Sequence, residues 1–324
     1  MRKIVTFVCA ALLVAGLYGC EKLVQEIVRE QRAKRRWSIF FKCAFIVLII
    51  IFFLMIKSIG SSGDKSVPDK PHTAMIEVKG TISPTTTSSA KNLVKAIGKA
   101  FDEPQAKGII LKMNSPGGSP VQSGMVYDEI MRQKKLHPDK PVYAVVEDIC
   151  ASGSYYIAAA ADRIYVDKAS LVGSIGVLID GFGVNRLMDK VGIERRLLTA
   201  GKYKGFLDTF SPQSPEQVAY AKKMLGKIHE QFITAVKEGR GKRLKNDSRL
   251  FTGLVFVGEE AVTLGLADGF GTIRSVAEDE IKAKEVVNYT IKENFGDRIL
   301  KKFGTAVGYG AVKAGLDKES FHLE

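Results

Sequence analysis

Gly108-Ile109-Ile110-Leu111-Lys112-Met113-Asn114-Ser115-Pro116-Gly117-Gly118-Ser119-Pro120 is an apolar run closed by a glycine pair and a helix-start signal. The run reads as a strand buried on both faces. Ser119 has N-cap character and Pro120 suits a first helical turn, so a helix is predicted from Val121 to about Lys135. Upstream, Ala74–Val78 reads as a first strand, and Ser88–Phe101 as a helix with Leu93, Val94, Ile97 and Phe101 on one face. Pro141–Val146 is the next strand, Arg163–Val166 and Leu197–Thr199 are short ones, and Pro215–Glu238 is a long amphipathic helix. Apolar strands alternating with helices predict an α/β fold of repeated parallel βαβ units.

The N-terminal part has a different composition. Ser38 to Ile56 is apolar apart from Lys42 and reaches the length needed to cross a hydrocarbon core. Trp37 suits an interfacial anchor, and the basic block Arg32 to Arg36 before it is expected to stay cytoplasmic. Glu21 to Arg36, with Leu23, Val24, Ile27 and Val28 at helical spacing, reads as a basic amphipathic helix on that face. The first twenty residues look like a secretory signal, and Leu17-Tyr18-Gly19-Cys20 resembles a lipoprotein cleavage box. Cleavage there would put the basic block on the outer side, against the charge rule, so one span over residues 38–56 is the preferred topology. Gly60 to His72 has linker composition.

The formal net charge is +13. The basic stretches do not interleave aromatics as a strand-stacking surface would, so a nucleic-acid partner is not expected; anionic lipid is the better fit. Cys9, Cys20 and Cys43 fall in or beside the apolar N-terminal segments, leaving Cys150 alone in the globular part. No intradomain disulfide, metal cluster or cofactor is expected. His72, His137, His229 and His322 have no flanking catalytic motif, which argues against a Ser/His/Asp mechanism.

Two segments carry chemistry. In Ala151-Ser152-Gly153-Ser154-Tyr155-Tyr156 a serine stands at the mouth of a predicted helix, the local setting of an activated nucleophile or of a simple N-cap. Gly201-Lys202-Tyr203-Lys204-Gly205 offers two lysines, either of which is a solvated surface residue or a base. The N–H groups of Gly118 and Gly153 are candidate oxyanion donors. Ser174, in the glycine-flanked Gly173-Ser174-Ile175-Gly176, is a turn hydroxyl that could direct an amine. A lysine base at neutral pH must be desolvated, because a free ammonium titrates near ~10.4.

Asn114-Ser115-Pro116-Gly117-Gly118, Ala151-Ser152-Gly153, Gly173-Ser174-Ile175-Gly176 and Gly201-Lys202-Tyr203-Lys204, in this order, resemble the short, single-repeat form of bacterial signal peptide peptidase A. The resemblance covers roughly residues 21–275. It implies a ClpP/crotonase-like fold, preceded by an N-terminal transmembrane helix, with Ser152 as nucleophile, Lys204 as general base and Ser174 orienting the lysine. It further implies a homo-oligomer with active sites shared between subunits and remnant signal peptides as substrates. The site would lie on the outer side of a bacterial inner membrane.

The expected organisation is a cytoplasmic segment 1–37, a transmembrane helix 38–57, a linker 58–72, a protease domain 73–280 and a basic extension 281–324. Met113, Val121, Ile149 and Leu178 are expected near the substrate side chains. Ser154 departs from the family's usual second glycine and is expected to place a competing hydroxyl near the oxyanion site. Two other readings compete: a crotonase-type acyl-CoA enzyme using Glu147 or Asp148, and a non-catalytic membrane scaffold.

Overall fold

The computed structural model describes residues 29–32, 34–54 and 69–291. The signal-like stretch, Cys20, most of the linker and residues 292–324 lie outside the described residues. Two compact units separate, one containing the N-terminal helix and the other spanning Ser66–Lys292.

In the first unit, Arg29–Leu54 forms one continuous helix (α1), long and apolar enough to cross a membrane. The described basic residues of the expected amphipathic segment belong to this same helix. No glycine or proline interrupts Arg29–Leu54, so nothing in the chain chemistry separates a surface helix from a span.

The second unit is built on a mostly parallel sheet. In chain order it contains β1 (His72–Lys79), α2 (Ala90–Asp102), β2 (Ala106–Ser115), α3 (Pro120–Leu136), β3 (Val142–Ala151), α4 (Gly153–Ala158), β4 (Arg163–Val166) and β5 (Leu171–Gly173). Then come α5 (Asn185–Lys190), α6 (Pro215–Arg240), β6 (Val255–Val257), α7 (Gly258–Thr263), β7 (Gly269–Phe270) and β8 (Val286–Asn288). The order across the sheet is β6-β5-β3-β2-β1-β8, with β4 on β3 and β7 on β4. Only the β5–β6 pair is antiparallel. This is the α/β architecture of βαβ units that the pattern of apolar runs predicts.

Ser119 caps α3, its hydroxyl accepting from the Gln122 N–H at 3.4 Å, with Pro120 in the first turn. On α2, Leu93, Ile97 and Phe101 are buried and Val94 packs against them. Two expectations shift. Val286–Asn288 pairs with β1, so residues 281–291 belong to the folded unit and not to an extension. Leu197–Thr199 forms no strand: no sheet edge reaches it, and Leu198 is 95% exposed.

Strand β3 ends later than its apolar run suggests. Met113 pairs with Val146, but the next matched pair is Ser115 with Cys150, so β3 carries extra residues over Glu147–Ile149. Such a bulge lets two charged residues turn outward while the strand continues, and bulges re-aim the chain beside functional sites. The first half of β3 pairs with β4 and its last three residues pair with β5. Everything placed at the carboxyl end of β3 therefore has β5 as its neighbour.

Behind that end, α4 is sunk in the core. Tyr155 is fully buried and donates to the Leu266 carbonyl at 2.8 Å, which stabilises the ring's burial, worth about 2–3 kcal/mol, without orphaning the hydroxyl. Tyr156 stacks on Phe232 of α6 with ring centroids 4.8 Å apart. A Cβ at Gly239 would stand 1.9 Å from the Ala159 carbonyl oxygen, so α6 crosses the end of α4 at a distance only glycine permits.

Candidate active site

Four of the five predicted site residues meet at the carboxyl ends of β2, β3 and β5. Ala151 pairs with Gly173, and the next residue on each strand is Ser152 and Ser174. The Ser152 N–H donates to the Gly173 carbonyl at 2.8 Å and the Ser174 N–H to the Leu254 carbonyl at 2.7 Å. Both serines hold positive φ, 53° and 51°. For a residue with a Cβ that conformation costs roughly 1–3 kcal/mol and persists where the surroundings over-determine it. It makes a sharp strand-to-helix corner at Ser152 and leaves the side chain half-buried at the mouth of α4.

The glycine turn after β2 leans directly on that corner. A Cβ at Gly117 would lie 2.8 Å from the Ser152 Cβ and 2.7 Å from the Gly153 nitrogen. Ile82 bridges the turn, donating to the Gly117 carbonyl at 2.8 Å and accepting from the Ser119 N–H at 2.9 Å. In a parallel bridge of this kind the middle residue's own N–H points to the opposite side, so the Gly118 N–H faces away from Ile82. The Gly118 nitrogen is 3.3 Å from where a Gly153 Cβ would stand. Gly153 opens α4, where a helical N–H has no intrahelical acceptor. Neither N–H has a protein acceptor among the described residues. Two unspent donors at the Ser152 corner are the kind of group that holds an oxyanion, and such a donor removes roughly 3 kcal/mol of barrier.

Lys204 is placed differently. It lies in the exposed stretch Gly201 to Lys204, its N–H donating to the Gly201 carbonyl at 3.0 Å. Its amine makes no hydrogen bond or ion pair with Ser152, Ser174 or any other described residue. Lys202, its rival in the motif, pairs with Glu216 at 3.0 Å. The Glu216 carboxylate, and after it the Tyr203 hydroxyl, raise the Lys202 ammonium above its ordinary value. A lysine held protonated by a carboxylate is a poor base.

The residues of the competing readings are engaged elsewhere. Glu147 pairs with Lys112 at 3.0 Å, and Asp148 accepts from the Asn114 side-chain amide at 2.8 Å. Cys150 is fully buried, and burial pushes its thiol up to about 12. Ser154 is fully buried too, its hydroxyl 3.4 Å from the Cys150 sulfur. It points into the core and is no competitor for substrate, because the α4 helix turns consecutive side chains to different sides. Met113 is wholly inside the core, while Val121 and Leu178 are well exposed. Among the described residues no histidine bonds to Ser152, and no cluster of metal-ligating side chains is present.

The chain is 42% identical over 202 residues to a Brucella abortus protein named as the Na(+)/H(+) antiporter NhaA, covering 61% of this chain but only 27% of that one. It is 28% identical over 207 residues to an Enterococcus faecium protein named as a signal peptide peptidase, covering 64% and 60% of the two. A Methanocaldococcus jannaschii protein named as a protease is 31% identical over 251 residues, 75% of this chain and 80% of that one. Residues 134–287, from the end of α3 to β8 and including Ser152, Ser174 and Lys204, match peptidase family S49. With a relative of that identity aligned along four-fifths of its length, the chain belongs to peptidase family S49.

Proposed function

We propose that the chain is a membrane-anchored serine endopeptidase with Ser152 as nucleophile and Lys204 as general base. The carrying observation is the Ser152 corner, where a strained serine stands between two unspent backbone N–H groups with Ser174 on the neighbouring strand end. In this reading a neutral Lys204 amine takes the Ser152 hydroxyl proton as Oγ attacks the scissile carbonyl. The Gly118 and Gly153 N–H groups hold the resulting oxyanion. The lysine then returns the proton to the leaving amine, and water hydrolyses the acyl-enzyme by the same route. Ser174 directs the lysine.

The base comes from a second copy of the chain. The segment after Ile175 supports this: Leu178, Phe182 and Leu198 are 79%, 83% and 95% exposed. Apolar exposure concentrated on the Lys204 side of the site is the mark of a surface that packs against a partner, and burial there would also strip water from the lysine. The proposed substrates are remnant signal peptides and other membrane-proximal peptides. The motif resemblance and the name of the Enterococcus relative favour them, as does a helix long enough to anchor the chain in a membrane. The anchor is single-pass, in contact with lipid, with the catalytic unit on the extracytoplasmic side of a bacterial inner membrane.

Labelling of the full-length chain in detergent by a fluorophosphonate tests the site. Ser152→Ala and Lys204→Ala each abolish labelling and peptide cleavage, and mixing the two variants restores part of the cleavage. Unchanged activity in either variant refutes the dyad, and failure of the mixture to recover refutes the shared site.

A further inference from the structure

One face of α6 grips both serine turns. Phe232 stacks on Tyr156, which lies one helical turn beyond Ser152. His229, three residues earlier and so on the same face, places Nε2 3.0 Å from the carbonyl oxygen of Ile175, the residue after Ser174. A carbonyl only accepts, so Nε2 carries the hydrogen and donates. The separation between the two grips is fixed by a single turn of helix. The turn at Gly239, closed against Ala159, and the stack at Phe232 stop α6 from sliding along α4.

We propose that His229 is a positioning residue for Ser174, and through it for the lysine base. The proposal rests on the Ser/Lys reading of the site. Ser174 sits at a φ of 51°, a strained conformation that relaxes unless both flanks are held. On one side its own N–H is tied to Leu254 at 2.7 Å. On the other, the Ile175 side chain is buried and its carbonyl is held by His229. The next backbone hydrogen bond downstream outside a helix is from Val184 to Thr209, so among the described residues the His229 contact is the last hydrogen bond holding the chain between Ser174 and Val184. Removing it frees the Ile175–Gly176 peptide to rotate, and with that flank released the strained Ser174 backbone relaxes and swings its hydroxyl away from the Ser152 corner. No motif flags His229: it is one polar residue on the half-buried side of a long helix, and only the fold shows what it faces.

The rate of fluorophosphonate labelling of Ser152 in the full-length chain, with kcat and KM for peptide cleavage, tests this. His229→Leu is expected to slow labelling and kcat on the order of tenfold, the effect of losing one hydrogen bond, with KM unchanged. His229→Gln, which keeps a donor of similar reach, restores the rate to within about twofold. In a Ser174→Ala background, His229→Leu costs less than about twofold, because the hydroxyl it positions is gone. Full activity in His229→Leu, no rescue by Gln, or full additivity with Ser174→Ala each overturns the proposal. Should the leucine variant fail to fold, His229→Asn, polar but too short to reach the carbonyl, takes its place. Ser174→Ala at wild-type rate would instead sink the Ser/Lys reading itself, an outcome separate from a failure of His229 alone.

Discussion

Residues 114–176 and residues 177–214 supply the two halves of the proposed dyad, and they are held in different ways. The Ser152 half is fixed from every side. Gly117 and Gly118 are in van der Waals conflict with any added carbon, Ala151 is paired to Gly173, and α4 is buried behind. The Lys204 half has no buried residue from Gly176 to Phe210, and its Gly201 has open space around it. One half is complete within a single chain, whereas the other presents apolar side chains to solvent. A nucleophile turn must be pre-organised before substrate arrives. A base that is harmless until desolvated gains from being assembled last.

Removing the nucleophile itself is the largest expected effect. Ser152→Ala should lower kcat on the order of 10^4-fold or more while leaving the unfolding midpoint close to wild type, since Ala fits the same corner. A thermal scan beside the activity assay checks both parts. A large loss of stability would mean that the hydroxyl serves the fold as a cap.

Glycine substitutions sharpen the contrast between the halves. Gly118→Ala puts a Cβ 2.2 Å from the Ile82 carbonyl oxygen, backbone that cannot step aside. It should cost about 3–5 kcal/mol and abolish labelling. Gly201→Ala meets nothing within 4 Å and bears only the strain of its φ of 104°. About 1 kcal/mol is expected there, read as a small shift in the denaturant midpoint. Equal costs at the two glycines would erase the distinction.

How much of this was readable beforehand follows from the same physics. Strands β1 and β2, helices α2, α3 and α6, the Ser119 cap and the glycine turn were legible because each is coded by local spacing and cap chemistry. Strand β3 reads only as far as Val146, where Glu147 and Asp148 end the apolar run, because a bulge has no periodic signature. Strands β5 and β6, three residues each, are not legible in the sequence, since nothing in so short a run distinguishes it from a turn. Those strands are what set Ser174 beside Ser152. Serine-to-serine neighbourhood was thus a property of topology, and spacing along the chain could only propose it. Ser154 differs from its expected place for a related reason: its position in the motif is visible, but the direction of its side chain depends on how α4 enters the core.

The exposed apolar side chains provide a third test. Leu198→Glu should leave the unfolding midpoint within about 0.5 kcal/mol of wild type, as expected at a solvent-exposed position. If the surface packs against a second copy, the same change shifts the full-length chain to smaller species in sedimentation and lowers cleavage at least about tenfold. Ile175→Glu, inside the Ser152 half, should unfold the protein instead. Full activity with Leu198→Glu would remove this face from the assembly.

The smallest effect expected is at Lys202, and it bears on which lysine is the base. Its pair with Glu216 is largely exposed to water, so Lys202→Ala should change activity less than about twofold and leave stability near wild type. The pH dependence has a definite sign. With the lysine raised, the pair's contribution is present below the ordinary ammonium range near ~10.4 and fades as pH rises beyond it. With Glu216 lowered, first by the Tyr203 hydroxyl and then by Lys202, the contribution is present above ~4.3 and fades on acidification. While the pair holds across the neutral range Lys202 is charged, which disfavours it as acceptor of the Ser152 proton. A labelling rate that collapsed in Lys202→Ala but survived in Lys204→Ala would reverse the roles of the two lysines and require the Glu216 pair to open during catalysis.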